Sequence, residues 1–122
     1  MKYMLLIYMA ENALTEEERQ HCYVESTELA HDLNAKGQFL ATAPLQPVST
    51  ATSVRVRDGR RLVTDGPYAE TREHLGGYYL VNAKNLDEAI DIAGRIPGAR
   101  AGTVEIRPVL EIPNLPVAGG AQ

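Results

Sequence analysis

Residues 76–83 read Gly76-Gly77-Tyr78-Tyr79-Leu80-Val81-Asn82-Ala83, and they give the strongest indication of the fold. It is typical of a β-strand, in which successive side chains point to opposite faces. Tyr78 and Leu80 then point to one side and Tyr79 and Val81 to the other, so neither side is suited to water. Residues 3–9 form a second apolar run of the same kind. These two runs predict strands that are covered on both faces.

Two helices are predicted by capping-box patterns, in which Thr or Asn is followed three residues later by Glu. Thr15 begins the first helix, which continues to about Lys36. Asn85 begins the second helix, which continues to Arg95. Both helices carry an apolar stripe at helical spacing, so each is expected to pack against a sheet.

The remaining strands are predicted around a hairpin. The pair Asp58-Gly59 favours a type I′ turn, whose two central residues need positive φ angles. Residues 54–57 and 61–64 supply the strands of this hairpin, while residues 38–45 and 103–108 supply two further strands. The resulting order is a ferredoxin-like β-α-β-β-α-β pattern with an extra hairpin, in the α+β class.

Two helices can cover only one face of the antiparallel sheet that this order predicts. A large apolar sheet face left open to water is unusual in a monomer. We therefore expect a homodimer that is packed sheet to sheet. Residues 1–108 are expected to form a single domain. Residues 109–122 are expected to form a Pro/Gly-rich tail that is extended or disordered beyond about Leu115.

Composition narrows the expected partners and compartment. The 122 residues include 12 Lys plus Arg and 16 Asp plus Glu, a net charge of −4, and we expect the basic residues to be spread along the chain. A small-molecule ligand therefore suits this protein better than nucleic acid or a membrane. The single Cys22 cannot form an intramolecular disulfide, which favours the cytoplasm. No metal-ligand spacing or nucleotide-binding loop is recognised, so we expect no cofactor.

The loop before residue 76 is dense in turn residues and ionisable groups. It reads Asp65-Gly66-Pro67-Tyr68-Ala69-Glu70-Thr71-Arg72-Glu73-His74-Leu75. Together with Gly76-Gly77, it resembles the signature word of the DGPF proteins, a branch of the YCII-related family. Residues 1–8, 52–59 and 104–108 also resemble family blocks, and they occur in family order.

This resemblance implies a fold of the dimeric α/β-barrel group, which includes muconolactone isomerases and small cofactor-free monooxygenases. It leaves two functions open. The first is a cofactor-free enzyme that performs acid–base chemistry on a small cyclic or enol-type metabolite. The second is a non-catalytic ligand-binding or regulatory partner, because genes for DGPF proteins are often found beside those of extracytoplasmic-function sigma factors. An enzyme should hold a carboxylate of the signature loop in a water-poor pocket, whereas a binding protein needs only the pocket.

Asp65 and Glu70 are the candidate catalytic residues. A carboxylate partly removed from water at a strand end, beside a cleft between helices and sheet, could act as a general base. Asp65 is equally well explained as a turn residue that accepts backbone hydrogen bonds. Glu70 occupies the acidic position of the family word, and we expect it to face a ligand in a recess near Gly76-Gly77. Glu73 is better explained as a solvated surface carboxylate.

Tyr68, His74, Tyr78 and Arg107 are the candidate ligand-binding residues. Arg107 could bind a carboxylate ligand or form an ion pair, for example with Asp65, that holds the loop against the sheet. These two tyrosines and Tyr79 could line a small pocket with phenolic donors, or they could serve packing with the hydroxyl end in water. His74 stands where the family word has Gln, which favours a polar contact over a shared catalytic role.

The wider family is also associated with a His–Asp pair whose His lies on the first helix. Counting back from Pro44 places that position near Ser26. His31 is expected to face solvent on the opposite side of the helix, and His21 to lie at the edge of the buried face. Neither histidine therefore matches the family position.

Overall fold

The computed structural model describes residues 1–116. Its strands are Lys2–Met9 (β1), Phe39–Pro44 (β2), Thr52–Arg57 (β3), Arg60–Asp65 (β4), His74–Asn82 (β5) and Thr103–Pro108 (β6). Its α-helices are Glu16–Ala35 (α1), Leu86–Arg95 (α2) and Gly98–Ala101 (α3), and Val48–Thr50 forms a 3-10 turn. The expectation for the end of the tail falls mainly on residues 117–122, which lie outside the described residues.

Four of the strands form one antiparallel sheet in the order β2-β5-β1-β6. The strands β3 and β4 pair with each other in a separate two-stranded sheet. The predicted α+β, ferredoxin-like pattern with an extra hairpin is therefore confirmed. The inner strands β1 and β5 are the two that carry apolar residues on both sides, as expected for strands with neighbours on both edges and residues packed on both faces.

The core lies between the helices and one face of the four-stranded sheet. Alternate residues of the inner strands, including Leu5, Tyr79 and Val81, form one buried cluster with residues of α1 and α2. Along its 20 residues, α1 buries only Leu29 and Leu33, both in its C-terminal half. The N-terminal half of α1 therefore stands further from the sheet and leaves space above it.

The opposite face of the sheet lies away from this core. Met4 pairs with Leu80 and Leu6 pairs with Tyr78 across β1 and β5, and all four side chains are only partly buried. Arg107 of β6 stands opposite Met4 at the same face. We call these five residues the open face. Their alternation with the buried residues confirms the prediction that Tyr78 and Tyr79 point to opposite sides.

Local signals in the sequence account for the start of α1 and for the turn of the β3–β4 hairpin. The Thr15 hydroxyl accepts a hydrogen bond from the Glu18 backbone N–H at 3.1 Å, and the Glu18 carboxylate accepts one from the Thr15 N–H at 2.8 Å. This confirms the capping box. Asp58 and Gly59 have φ angles of 51° and 73°, which are the positive values that a type I′ turn requires.

The short helix α3 was not predicted from the sequence, and two glycines let it pack against β1. A Cβ atom at Gly102 would lie 2.0 Å from the carbonyl oxygen of Tyr8, and one at Gly98 would lie 2.5 Å from Cγ2 of Ile7. Both distances are shorter than non-bonded contacts allow, so glycine is required for this approach. The requirement at Gly102 is the stricter one, because its neighbour is backbone of an inner strand.

We expect Gly102→Ala to lower the free energy of unfolding by about 3 kcal/mol, because the added methyl group overpacks against β1. Gly94→Ala is the matched control, since a Cβ at Gly94 in α2 would meet nothing within 4 Å. The control should be neutral or should raise stability by up to about 1 kcal/mol, as Ala favours helix over Gly. Urea unfolding measures both variants, and equal stabilities would contradict the packing requirement.

Candidate functional site

A cleft of about 760 Å³ lies between the N-terminal half of α1 and the sheet. Its walls come from α1, from the end of β1 and the loop after it, from the end of β2 and from the start of β5. Ile96, which follows α2, and Gly98, which begins α3, close one side. The cleft therefore occupies the space that α1 leaves where it buries no side chain.

The walls of the cleft are mainly apolar. Aliphatic and small side chains dominate, among them Ile7, Met9, Leu14, Leu75 and Ala30. Neutral polar groups are contributed by Ser26, Thr27, Thr42 and Gln46. This combination of apolar walls with a few polar groups is typical of sites for small organic molecules.

Tyr79 lies at the floor of the cleft and joins α1 to the sheet. Its side chain is 1% exposed, and its hydroxyl donates a hydrogen bond to the backbone carbonyl of Ser26 at 2.6 Å. Burial raises the pKa of the Tyr79 phenol above its ordinary value, while the side chains of Ser26 and Thr42 act in the opposite direction. The phenol is therefore protonated at neutral pH and acts as a donor.

A polar network lies at the mouth of the cleft on the first turns of α1. Arg19 Nη1 donates to Glu16 Oε2 at 3.0 Å, and Gln20 Nε2 donates to Glu16 Oε1 at 2.9 Å. The hydrogen bond from Gln20, followed by that from Arg19, lowers the pKa of Glu16. Glu16 is thus ionised at neutral pH, which makes it an acceptor and a weak candidate for a proton donor.

The pair Gly76-Gly77 lines the cleft at the start of β5. A Cβ atom at Gly77 would lie 3.0 Å from the carbonyl oxygen of Ala43 and 3.3 Å from Cα of Pro44. Gly77 therefore lets β2 come close to β5 at the cleft wall. A Cβ at Gly76 would meet nothing nearer than 3.9 Å, so this position tolerates a side chain on steric grounds.

The two candidate catalytic residues do not lie in the cleft. Asp65 ends β4 and Glu70 lies in the loop after it, and both are exposed. Neither residue contributes to the cleft wall, so the expectations that Asp65 lies beside the cleft and that Glu70 lies in a recess were wrong for the single chain. The physical reason is that β4 belongs to the separate hairpin sheet, which carries its end away from α1. The assignment of catalytic roles to these residues stays a prediction.

The four candidate ligand-binding residues are also dispersed. Tyr68 is 84% exposed. His74 is partly buried at the start of β5, with its Nδ1 3.5 Å from the Thr71 hydroxyl. Tyr78 and Arg107 lie on the open face, on the side of the sheet away from the cleft. The four side chains therefore do not form one site within a single chain.

The ion pair that was suggested as one alternative for Arg107, with Asp65, is not formed, and the environment of Glu73 differs from the expected one. Arg107 Nη1 pairs with Glu105 Oε2 at 3.2 Å. Glu73, expected to be only solvated, accepts a hydrogen bond from the Thr103 hydroxyl at 2.9 Å. This second contact ties the loop to β6, so Glu73 has a structural role.

Sequence reasoning missed Thr42 and Ser26, and it recognised Tyr79 only as one of three tyrosines that could line a small pocket. The count from Pro44 placed the family's histidine position near Ser26, and Ser26 does line the cleft. That count was the available signal, because it pointed to the part of α1 that faces the open space. His31 is exposed, as expected, and does not line the cleft.

Two further features of residues 1–116 concern membranes and metal ions. Among residues 1–116, no helix has the length and apolar composition needed to cross a membrane. Within the same residues, no group of three or more His, Cys, Asp or Glu side chains is placed to hold a metal ion.

The fold and the cleft define a ferredoxin-like α+β protein with a cavity of small-molecule size. A family model of the YCII-related domain matches residues 1–113. The chain is also 33% identical over 114 residues to an uncharacterised protein of Rhizobium meliloti (strain 1021), an alignment that covers 89% of this chain and 92% of that relative. The chain therefore belongs to the YCII-related family.

Tyr79→Phe tests the link between the cleft floor and α1. We expect it to lower the free energy of unfolding at pH 7 by about 1 kcal/mol, through loss of the hydrogen bond to Ser26. The folded pKa of Tyr79 is raised above 10.0, so the stability that comes from the protonated phenol is complete below that pH. This stability is lost as the pH rises through the folded pKa.

The measurement is urea unfolding of both proteins at about pH 9 and about pH 11, where only the wild-type protein titrates at this position. The wild type should lose more stability over this interval than Tyr79→Phe. Tyr78→Phe is the control, because Tyr78 lies on the open face of the same strand. If the free energy of unfolding depends on pH identically in the wild type and in Tyr79→Phe, the Tyr79 phenol is not buried and hydrogen-bonded as the structure shows.

Proposed function

We propose that this protein binds a small, largely apolar metabolite in the cleft between α1 and the sheet, without performing chemistry on it. The observation that carries the proposal is the cleft itself, about 760 Å³ in volume and within the range of about 300–1,000 Å³ common for small-molecule sites. Its apolar walls would exclude water from the ligand. Its neutral hydroxyl and amide groups would orient one polar part of the ligand.

The absence of the two predicted catalytic carboxylates from the cleft wall supports binding over acid–base catalysis. Catalysis of that kind needs a titratable group in contact with the substrate. Asp65 and Glu70 are exposed and lie outside the cleft. Glu16 lies at its mouth, where Arg19 and Gln20 stabilise its ionised form. A regulatory role linked to extracytoplasmic-function sigma factors is one use of such binding, and it stays part of this proposal.

The second part of the proposal is that two copies of the chain pack sheet to sheet through the open face. Leu80 stands at its centre, because β5 is an inner strand and Leu80 pairs with Met4 on one side and Ala41 on the other. Leu6 and Tyr78 extend the apolar surface along the same two strands. Covering this surface would remove from water the apolar side chains that the helices leave uncovered.

The ligand-binding proposal predicts which substitutions abolish binding. A library of small cyclic acids, enols and neutral aromatics can be screened by ¹⁵N chemical shifts, with changes expected around Ser26, Thr42 and Gly77. For any compound that binds, Ser26→Leu should weaken the affinity at least tenfold, or about 1.4 kcal/mol, because it fills the cleft. Asp65→Asn and Glu70→Gln should leave the affinity unchanged.

The opposite pattern would contradict the proposal. Binding that is lost in Glu70→Gln and kept in Ser26→Leu would indicate that the ligand binds at the signature loop instead of in the cleft. Consumption of a bound compound, followed by NMR over hours, would favour an enzyme instead. Thermal unfolding of each variant shows whether a loss of binding reflects a loss of fold.

The dimer proposal predicts the effect of a charge on the open face. Leu80→Glu should convert a dimer into a monomer of 13.4 kDa, because the symmetric interface would receive two buried carboxylates. Leu86→Glu is the control, since Leu86 is 51% exposed on α2, away from the open face. Sedimentation velocity at micromolar concentration distinguishes the two states. A wild-type monomer would exclude the sheet-to-sheet dimer.

A further inference from the structure

The β3–β4 hairpin stands apart from the rest of the structure. Within residues 1–116 its strands pair only with each other, and every residue of β3 and β4 except Ser53 is exposed. Two further hydrogen bonds at its base also join the hairpin's own two ends: Ser53 Oγ donates to the Gly66 carbonyl at 2.8 Å, and the Gly66 N–H donates to the Ala51 carbonyl. A two-stranded hairpin alone is at best marginally stable in water, so its form indicates that another surface covers it.

One side of the hairpin carries three valines. Val54 stands directly opposite Val63, and Val56, whose cross-strand partner is Arg61, follows on the same side two residues along. These three side chains are 58%, 59% and 61% exposed. We call them the valine face. Adjacent β-branched side chains at such exposure form an apolar patch rather than scattered surface residues.

The other side of the hairpin is basic. Arg57 stands directly opposite Arg60, and Arg55 lies on the same side. Like charges placed opposite each other destabilise a strand pair. None of the five ion pairs within residues 1–116 includes an arginine of the hairpin. An acidic surface beside the hairpin would offset this repulsion.

The charge of the hairpin is complementary to that of the rest of the chain. We expected the basic residues to be spread along the chain rather than clustered, but four of the 12 lie in residues 52–65. With two acidic residues, this segment has a net charge of +2, and the remaining eight basic and 14 acidic residues have a net charge of −6. Three consecutive glutamates, Glu16 to Glu18, occupy the first turn of α1.

We infer that the hairpin is an arm that docks on a second copy of this chain. The body of a second copy carries the negative charge that the arginines of the arm lack, and docking there would also remove the valines from water. In a symmetric pair, each copy supplies one arm and receives the other. The inference extends the proposed sheet-to-sheet dimer, and the two can fail independently because they depend on different residues.

The first test is the self-association of the triple variant V54T/V56T/V63T. Threonine keeps the β-branched shape and strand preference of valine but removes apolar surface. Sedimentation velocity over a dilution series should show a dimer dissociation constant at least tenfold above that of the wild type. Leu62→Thr is the matched control, because Leu62 is 45% exposed on the arginine side of the hairpin. The control should associate as the wild type does.

The second test asks what the arm touches. A photo-reactive benzophenone amino acid in place of Val56 should cross-link to another copy and give a product of twice 13.4 kDa. Cross-links confined to one chain would overturn the inference, as would a wild type that stays monomeric. It also fails if the triple variant associates like the wild type while Leu80→Glu dissociates, and in that case the sheet-to-sheet dimer stands without the arm.

The third test addresses nucleic acid as the alternative occupant of the basic side. Fluorescence anisotropy of a labelled DNA duplex at about 0.15 M salt should show no binding by the wild type. Binding that disappears in R57Q/R60Q would overturn the inference in favour of nucleic acid. For the protein alone, R57Q/R60Q should instead reduce the salt dependence of dimer formation, because fewer charges then contribute to the contact.

Discussion

The pairing of β1 with β5 is the constraint on which the rest of the structure depends. The two strands are the inner pair of the sheet, and their alternate residues supply the core on one side and the open face on the other. Strands of this composition cannot lie at an exposed edge or with a wet face without a large loss of apolar burial. The helices are consequently held on one side, and the other side is left for a further partner.

The cleft follows from how α1 meets this sheet. Its C-terminal half contributes Leu29 and Leu33 to the core, whereas its N-terminal half buries nothing. Tyr79 bridges the resulting gap by its hydrogen bond to Ser26, so the helix is held at a distance that a phenol ring can span. The glycine at position 77 brings β2 close on the other side. The cleft therefore results from the way in which α1, β2 and β5 pack together.

The signature word serves two different parts of the molecule. Leu75, Gly76 and Gly77 line the cleft, while Glu73 ties the preceding loop to β6 through Thr103. Asp65 belongs to the end of the hairpin, whose strands form their own sheet. A run that is continuous in sequence therefore divides between the cleft wall, a structural anchor and the exposed hairpin.

The sequence by itself determined the order of elements, the caps and turns, and the choice of inner strands. These features depend on local chemistry: the Thr15–Glu18 capping box, the positive φ angles at Asp58 and Gly59, and apolar alternation over a few residues. Only the tertiary structure decided which functional groups meet. Ser26 and Tyr79 are 53 positions apart yet share a hydrogen bond, whereas Asp65 and Glu70 lie outside the cleft. Such contacts depend on the distance between packed elements. That distance is set by side chains far apart in the sequence, so no local sequence pattern predicts it.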